Sequence, residues 1–245
     1  MGQVAQVAEN VFLAAGTHVN WVLLRDGQDL TLVDGGWYGD YAAVESSVRA
    51  IGHRLEDVRA ILLTHAHIDH IGSVQRLQER YRIPVYASPR EAAHARREFL
   101  EQATPADLAR HAWRPAALRW TLQITRAGAL RRLAVPHAEP FPTTAGPLDL
   151  PGQPVPVPCP GHTSGHTAYH LPQAGILISG DALVTGHPLS RTVGPQLLPG
   201  FFTHSPAEAT ASLDALAAID AGVLLPGHGR PWKGPVSASV AQAAG

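Results

Sequence analysis

Two apolar runs, residues 19–25 and 30–33, flank the dipeptide Asp26-Gly27. Strand-like stretches around Asp-Gly are a β-hairpin signal, and this hairpin is expected to open the first sheet. Beyond it the period changes. Apolar positions recur at helical spacing over 40–51, form a continuous run at 60–63, turn helical again over 73–82 and end in a short run at 84–87. Strands and helices are therefore expected in turn. The second half behaves likewise, with strands near 156–158, 169–171 and 175–179 and a last short strand at 223–225. A helix is expected to start near Ser205, since Glu208 three residues on completes a capping-box pattern. The predicted class is α/β.

The stretch 88–146 breaks that alternation. It carries Arg90, Arg96, Arg97, Arg110, Arg114, Arg119, Arg126, Arg131 and Arg132, with Trp113, Trp120 and Leu or Ala at roughly helical spacing. It reads as a helical insertion, about 88–146, within a single domain covering 1–245. Glu91, Glu98, Glu101 and Asp107 lie among the arginines, so the charges read as a mixed solvated face, and each tryptophan reads first as packing.

Length and composition narrow the setting. At 245 residues and 45% hydrophobic content the chain suits one large α/β domain with a buried core. A net charge of −1 gives no general attraction to nucleic acid. A single cysteine excludes an internal disulfide framework. The first ten residues have neither a basic nor a sustained apolar segment of the export type, so a cytoplasmic protein is expected. No window approaches the roughly 18 apolar residues of a membrane span.

The chemistry enters at His65-Ala66-His67-Ile68-Asp69-His70, three imidazoles and one carboxylate directly after the strand-like 60–63 run. Imidazole nitrogen and carboxylate oxygen bind zinc at roughly 2.0–2.2 Å, and zinc is the first expectation, with iron or manganese as alternatives. On an extended chain His65 and His67 point the same way, while Asp69 and His70 can turn toward a second position as a helix begins. One loop can thus serve two metals, but it needs more ligands. His162, Asp181 and His228 are the candidates; each follows an apolar run and sits beside glycine, which lets backbone approach a crowded centre.

With these residues in view the chain resembles the metallo-β-lactamase fold superfamily, whose pattern is His-x-His-x-Asp-His followed by a His, an Asp and a His at later strand ends. The likeness runs from the strand end at 32–36 to His228. It implies an αβ/βα four-layer sandwich, with the metals at one edge between two sheets and the insertion over them. It also implies that His65, His67 and His162 hold one divalent ion, that Asp69, His70 and His228 hold the other, and that Asp181 bridges them. His166 would then be structural, Asp34 a hydrogen-bond partner that orients the metal loop, and Trp113, Trp120 and Leu122 the lining of an apolar channel. Cys159 reads as a small buried residue. His18, His53, His94, His111, His137 and His170 carry no motif, while His187 and His204 fall in the irregular stretch after Asp181, where they can face the pocket.

Two metals in one pocket imply hydrolysis of an ester, lactone or thioester by a hydroxide bridging them, its pKa lowered from about 15.7 toward 7. Asp69 is the expected catalytic group, ligand and orienter ahead of base. The expected partner is a small molecule with an apolar acyl tail; nucleic acid and membrane are not expected, and a homodimer is compatible with the reading. N-acyl homoserine lactonases share all seven metal positions and a similar length, and give the best analogy. Secreted β-lactamases lack an Asp at the place of Asp181, and the glyoxalase II branch carries a C-terminal helical domain where this chain stops soon after His228. A persulfide dioxygenase with a single iron is the alternative outside hydrolysis.

Overall fold

The structure, a computed structural model, describes residues 3–104, 106–107, 115–142 and 146–244. The first sheet begins with four antiparallel strands, β1 (Gln3–Ala8), β2 (Val11–Ala15), β3 (Asn20–Asp26) and β4 (Asp29–Val33). The hairpin at Asp26-Gly27 is present, with Gly27 at φ 56°, but it does not open the sheet: β1 and β2 precede it. The sequence QVAQVA of β1 offers only two strand-forming side chains, too few to register as a periodic signal.

From β4 onward the sheet becomes parallel. Helix α1 (Tyr41–Ala50) crosses to β5 (Val58–Leu62); α2 (Ile68–Ile71) and α3 (Val74–Tyr81) lead to β6 (Val85–Ala87). Then come α4 (Pro89–Ala95), α5 (Pro115–Ala127) and β7 (Ala138–Pro140), which pairs in parallel with β6. The end of the 88–146 stretch thus returns to the sheet as an edge strand. The strand order is β1-β2-β3-β4-β5-β6-β7. The second sheet contains β8 (Val155–Pro158), β9 (Thr167–Leu171), β10 (Ile176–Gly180), β11 (Val223–Pro226) and β12 (Trp232–Lys233) in the order β12-β11-β10-β9-β8. Helix α6 (Pro206–Ala217) joins the parallel pair β10 and β11, and α7 (Val236–Ala244) follows β12. Ser205 caps α6 by accepting from the Glu208 amide at 3.4 Å.

Strand alternation explains the layering. Side chains of a strand alternate between faces, so on β3 Val22 and Leu24 face the second sheet, where they pack with Val33, Leu62, Tyr169, Ile176, Ile178 and Leu225. Trp21 and Leu23 face the other way, against Val44 and Val48 of α1 and Leu77 of α3. On the far side, Leu177 and Leu224 pack under Leu213 and Leu216 of α6 and Val236 and Val240 of α7. The result is the expected four-layer αβ/βα sandwich. Among the described residues no helix is long and apolar enough to cross a membrane.

Candidate metal centre

All seven residues predicted as ligands meet at one edge of the sandwich. His65, His67, Asp69 and His70 lie in the loop after β5 and the start of α2, His162 between β8 and β9, Asp181 just after β10 and His228 just after β11. Their donor atoms fall into three overlapping groups, each within 4.8 Å: His65, His67 and His162; His65, His70 and Asp181; and Asp69, His70 and His228. Asp181 Oδ2 lies 3.1 Å from His228 Nε2, 3.5 Å from His162 Nε2 and 3.8 Å from His65 Nε2, and Oδ1 lies 3.5 Å from His70 Nε2. It is thus the residue that reaches all sides of the cluster. Gly227 makes this closeness feasible, because a Cβ there would stand 2.1 Å from Asp181 Oδ1 and 2.9 Å from His70 Cε1.

In His65, His67, His70 and His228 the outer nitrogen is occupied by an acceptor, and that fixes which nitrogen faces inward; His162 Nδ1 has no such partner. His70 Nδ1 donates to Asp34 Oδ2 at 2.8 Å, and His228 Nδ1 donates to the His18 carbonyl. His67 Nε2 donates to the Glu101 carbonyl at 2.6 Å. Thr64 Oγ1 gives its proton to Asp34 at 2.7 Å, so it accepts from His65 Nδ1 at 3.0 Å. What remains inside are ligand atoms short of partners. His65 Nε2, His70 Nε2 and Asp181 Oδ1 are buried without a hydrogen-bond partner, and His67 Nδ1 faces His162 Nε2 at 3.0 Å. Since His67 carries its proton on Nε2, the metal-free contact is a hydrogen bond in which His162 Nε2–H donates to His67 Nδ1. Buried polar atoms left unpaired, as on His65, His70 and Asp181, are costly, so this donor set fits divalent cations.

Without a cation the cluster balances its own charge. Burial, with the neighbouring imidazoles, holds His65 and His162 well below the ordinary histidine value, and burial also lowers His67. Burial opposes protonation of His228 too, but the charge of Asp181 and hydrogen bonds to Asp181 and Asp69 push it up to about 10. His70 is raised against burial by Asp181, Asp34 and Asp69. Burial works against the ionised carboxyls of Asp69 and Asp181, yet both are held below the usual range by facing His70 and His228.

Asp34 has the predicted supporting role. At φ 62° its carboxylate accepts from the Thr64 amide and hydroxyl and from His70. His166 is also as predicted: its Nε2 accepts from the Asp181 amide at 3.1 Å and its Nδ1 meets Cys159 Sγ at 3.2 Å, so neither nitrogen is free. Burial lowers His166 to about 4 and raises the Cys159 thiol to about 12.

A cavity of about 380 Å³ opens over the cluster, with His67, Asp69, His162, Asp181 and His228 on its floor. Its walls are largely apolar, including Trp37, Ile68, Trp120, Ile124, Leu198 and Phe202. Trp120 thus lines the cavity as well as packing. Leu122 does not line it; it lies half exposed on the outer side of α5. His187 does face the cavity, its ring 5.5 Å from Trp120 and 5.3 Å from His228, and burial pushes it down to about 3. His204 is exposed and stands 3.7 Å from Glu101 Oε1. Trp113, His111, Arg110 and Arg114 lie outside the described residues.

Two residues read as solvated charges are neither solvated nor idle. Glu91 is fully buried and the Glu101 side chain nearly so, and both bond to the loops that carry His67 and His162. Ser88-Pro89-Arg90-Glu91 is a capping pattern that marks the start of α4, and Ser88 Oγ accepts from the Glu91 amide. The pattern says where the helix begins but not which face is buried.

Comparison with known proteins agrees with this geometry. The family model described as "Metallo-beta-lactamase superfamily" matches residues 14–228. The chain is 29% identical over 184 residues to the "Probable metallo-hydrolase YflN" of Bacillus subtilis, covering 72% of this chain and 66% of that one. It is 31% identical over 207 residues to a hydroxyacylglutathione hydrolase of Dechloromonas aromatica, covering 84% of this chain and 55% of that one. The chain therefore spans about two thirds and about half of these relatives' lengths. Among solved structures, a metallo-beta-lactamase family protein of Thermus thermophilus superposes with a TM-score of 0.66 at 25% identity, over 97% of this chain and 79% of the other. A Cronobacter sakazakii metallo-beta-lactamase gives a TM-score of 0.69 at 20% identity, over 98% and 90%.

Proposed function

Since the chain belongs to the metallo-β-lactamase superfamily and is a hydrolase of that superfamily, we propose that it cleaves a small ester, lactone or thioester with an apolar acyl group at a centre of two divalent metal ions. The observation that carries this is the set of unpartnered, inward-facing ligand atoms on His65, His70 and Asp181, in a cluster whose Asp181, His67, Asp69, His162 and His228 floor an apolar cavity. In this reading His65, His67 and His162 hold one ion, Asp69, His70 and His228 the other, and Asp181 reaches between them. Zinc is the ion favoured by the imidazole-rich donor set.

When bound, such ions supply Lewis acidity that polarises a carbonyl and lets water ionise near neutral pH. The chain's own groups do the rest. The apolar walls around Trp120 and Phe202 take the acyl arm and exclude bulk water from the floor. Asp69, the one carboxylate of the cluster that retains exposure toward the cavity, orients the attacking water and can take its proton; Asp69 Oδ2 lies 3.4 Å from His228 Nε2, which ties its direction to the cluster. The ionised form of Asp69 is favoured by His70 and His228, which suits accepting a proton more than donating one.

Relatives named hydroxyacylglutathione hydrolase keep an acyl-glutathione substrate in the test panel. The test is metal content by mass spectrometry on protein purified without added metal, together with turnover of lactones, aryl esters, acyl-glutathione and a β-lactam. Close to two zinc per chain with lactone or ester turnover is expected. One iron per chain, oxygen consumption and no hydrolysis would replace the proposal with a dioxygenase.

A further inference from the structure

Outside the cluster itself, the most developed buried polar network is the one that runs through the segment 88–104. It starts at the Glu101 amide, which donates to His94 Nε2 at 3.2 Å. That nitrogen is therefore an acceptor, so neutral His94 carries its proton on Nδ1, which donates to Glu91 Oε2 at 3.0 Å. The same oxygen takes the Ala66 amide at 2.9 Å, between His65 and His67. The other carboxylate oxygen of Glu91 accepts from the Thr163 hydroxyl and, at 3.2 Å, from the Gly165 amide, both in the His162 loop. At the far end the Glu101 carbonyl accepts from His67 Nε2, while its carboxylate accepts from the Ser164 amide at 2.7 Å. Glu91 and His94 are fully buried. Burying a carboxylate costs free energy unless it is saturated with donors, and four donors converge on Glu91.

The remaining histidines of the cluster are held differently. His70 leans on Asp34, His65 on the Thr64 hydroxyl that itself donates to Asp34, and His228 on the His18 carbonyl; none of these rings bonds to the 88–104 segment. The geometry assigns Glu91, His94 and Glu101 as a directed hydrogen-bond relay that fixes the inward nitrogen of His67 and the setting of His162, so that the position of His65, His67 and His162 depends on the 88–104 segment while the position of Asp69, His70 and His228 does not; Asp34 reaches both, directly at His70 and through Thr64 at His65. The first position can then be weakened without the second. This rests on the two-ion reading above. Glu91, His94 and Glu101 are positioning residues: none has a donor atom in the cluster.

The test uses the full chain stripped of metal and titrated with zinc against a chromogenic chelator, with ¹⁵N NMR of the histidine rings. Wild-type protein is expected to bind two zinc ions, and in its metal-free form His67 is expected to carry its proton on Nε2. Glu91→Gln replaces an acceptor oxygen by an NH₂ facing donors, so it should keep one tight site and weaken the other by about 10–100-fold. In that variant the first equivalent of zinc should perturb His70 and His228 and leave His67 and His162 unchanged. Asp34→Asn, which touches His70 directly and His65 through Thr64, should weaken both sites. If Glu91→Gln does not fold, His94→Phe breaks the relay without touching the carboxylate, and His94→Gln, which can still accept at one end and donate at the other, should restore wild-type binding. Two zinc ions with wild-type affinities in both Glu91→Gln and His94→Phe, or His67 protonated on Nδ1, would overturn the relay. Fewer than two zinc ions in wild-type protein would overturn the two-ion reading itself.

Discussion

One hydrogen atom in place of a methyl group decides whether Asp181 and His70 can both reach the cluster. Adding a Cβ at Gly227 brings it within 2.1 Å of Asp181 Oδ1, and the backbone there is fixed by a bond from the Gly227 amide to the Gly180 carbonyl at 2.8 Å. Gly227→Ala should therefore displace Asp181 rather than the loop. We expect it to lose at least one bound metal and about 100-fold in kcat/KM, since a misplacement of about 1 Å costs that much; metal analysis and kinetics on the same sample check this. At this scale the seven clustered residues were legible in the sequence because each stands at the end of an apolar run, four of them in one hexapeptide. Glu91, His94 and Glu101 were not legible. The distant partners of Glu91 and Glu101 lie 25 to 74 residues away, in the loops of His67 and His162, and an isolated Glu beside arginines has the local pattern of a surface charge.

Helix α5 shows what element-level patterning can and cannot tell. Ala117, Trp120, Ile124 and Ala127 form its buried stripe, while Leu118 and Leu122 on other faces stay largely exposed. The helical period correctly marks the helix; it does not reveal that the inner stripe roofs a cavity instead of filling a core. Trp120 does both, with Phe202 at 6.0 Å and His187 at 5.5 Å. Trp120→Ala is expected to lower stability by roughly 3 kcal/mol and to raise KM more than it lowers kcat, with a penalty that grows with acyl length. Thermal unfolding and a chain-length series of substrates measure the two effects. Strands β1, β2, β7 and β12 escaped the sequence reading; β1, β7 and β12 are short or poor in branched and aromatic residues, and are held by pairing to a neighbour more than by their own pattern.

For the molecule as a whole, the buried charges tie stability to pH in a way that metal should abolish. In the metal-free protein His228, at about 10 when folded against an ordinary value of 6.5, stabilises fully below 6.5 and loses that contribution as the pH rises through about 10. The depressed carboxyls of Asp69 and Asp181 act in the opposite sense, stabilising above 3.8 and failing only in strong acid. Metal-free protein should therefore lose melting temperature between pH 7 and pH 10. Metal-loaded protein should not, because cations replace the protons on His70 and His228 and binding releases them. Melting curves with and without a chelator across that range decide the matter.

The same assembly has a temporal side. The Asn20 side chain holds the carbonyls of Pro226 and Gly229 at 2.9 and 2.8 Å, and the His18 carbonyl holds His228, contacts that span 206 to 210 residues. Closing so long a loop is slow and comes late. During synthesis the hexapeptide that carries four of the donors leaves the ribosome far ahead of His228, and for that interval the nascent chain has imidazoles but no enclosure. All seven donors come together only once β10 and β11, whose ends carry Asp181 and His228, have paired.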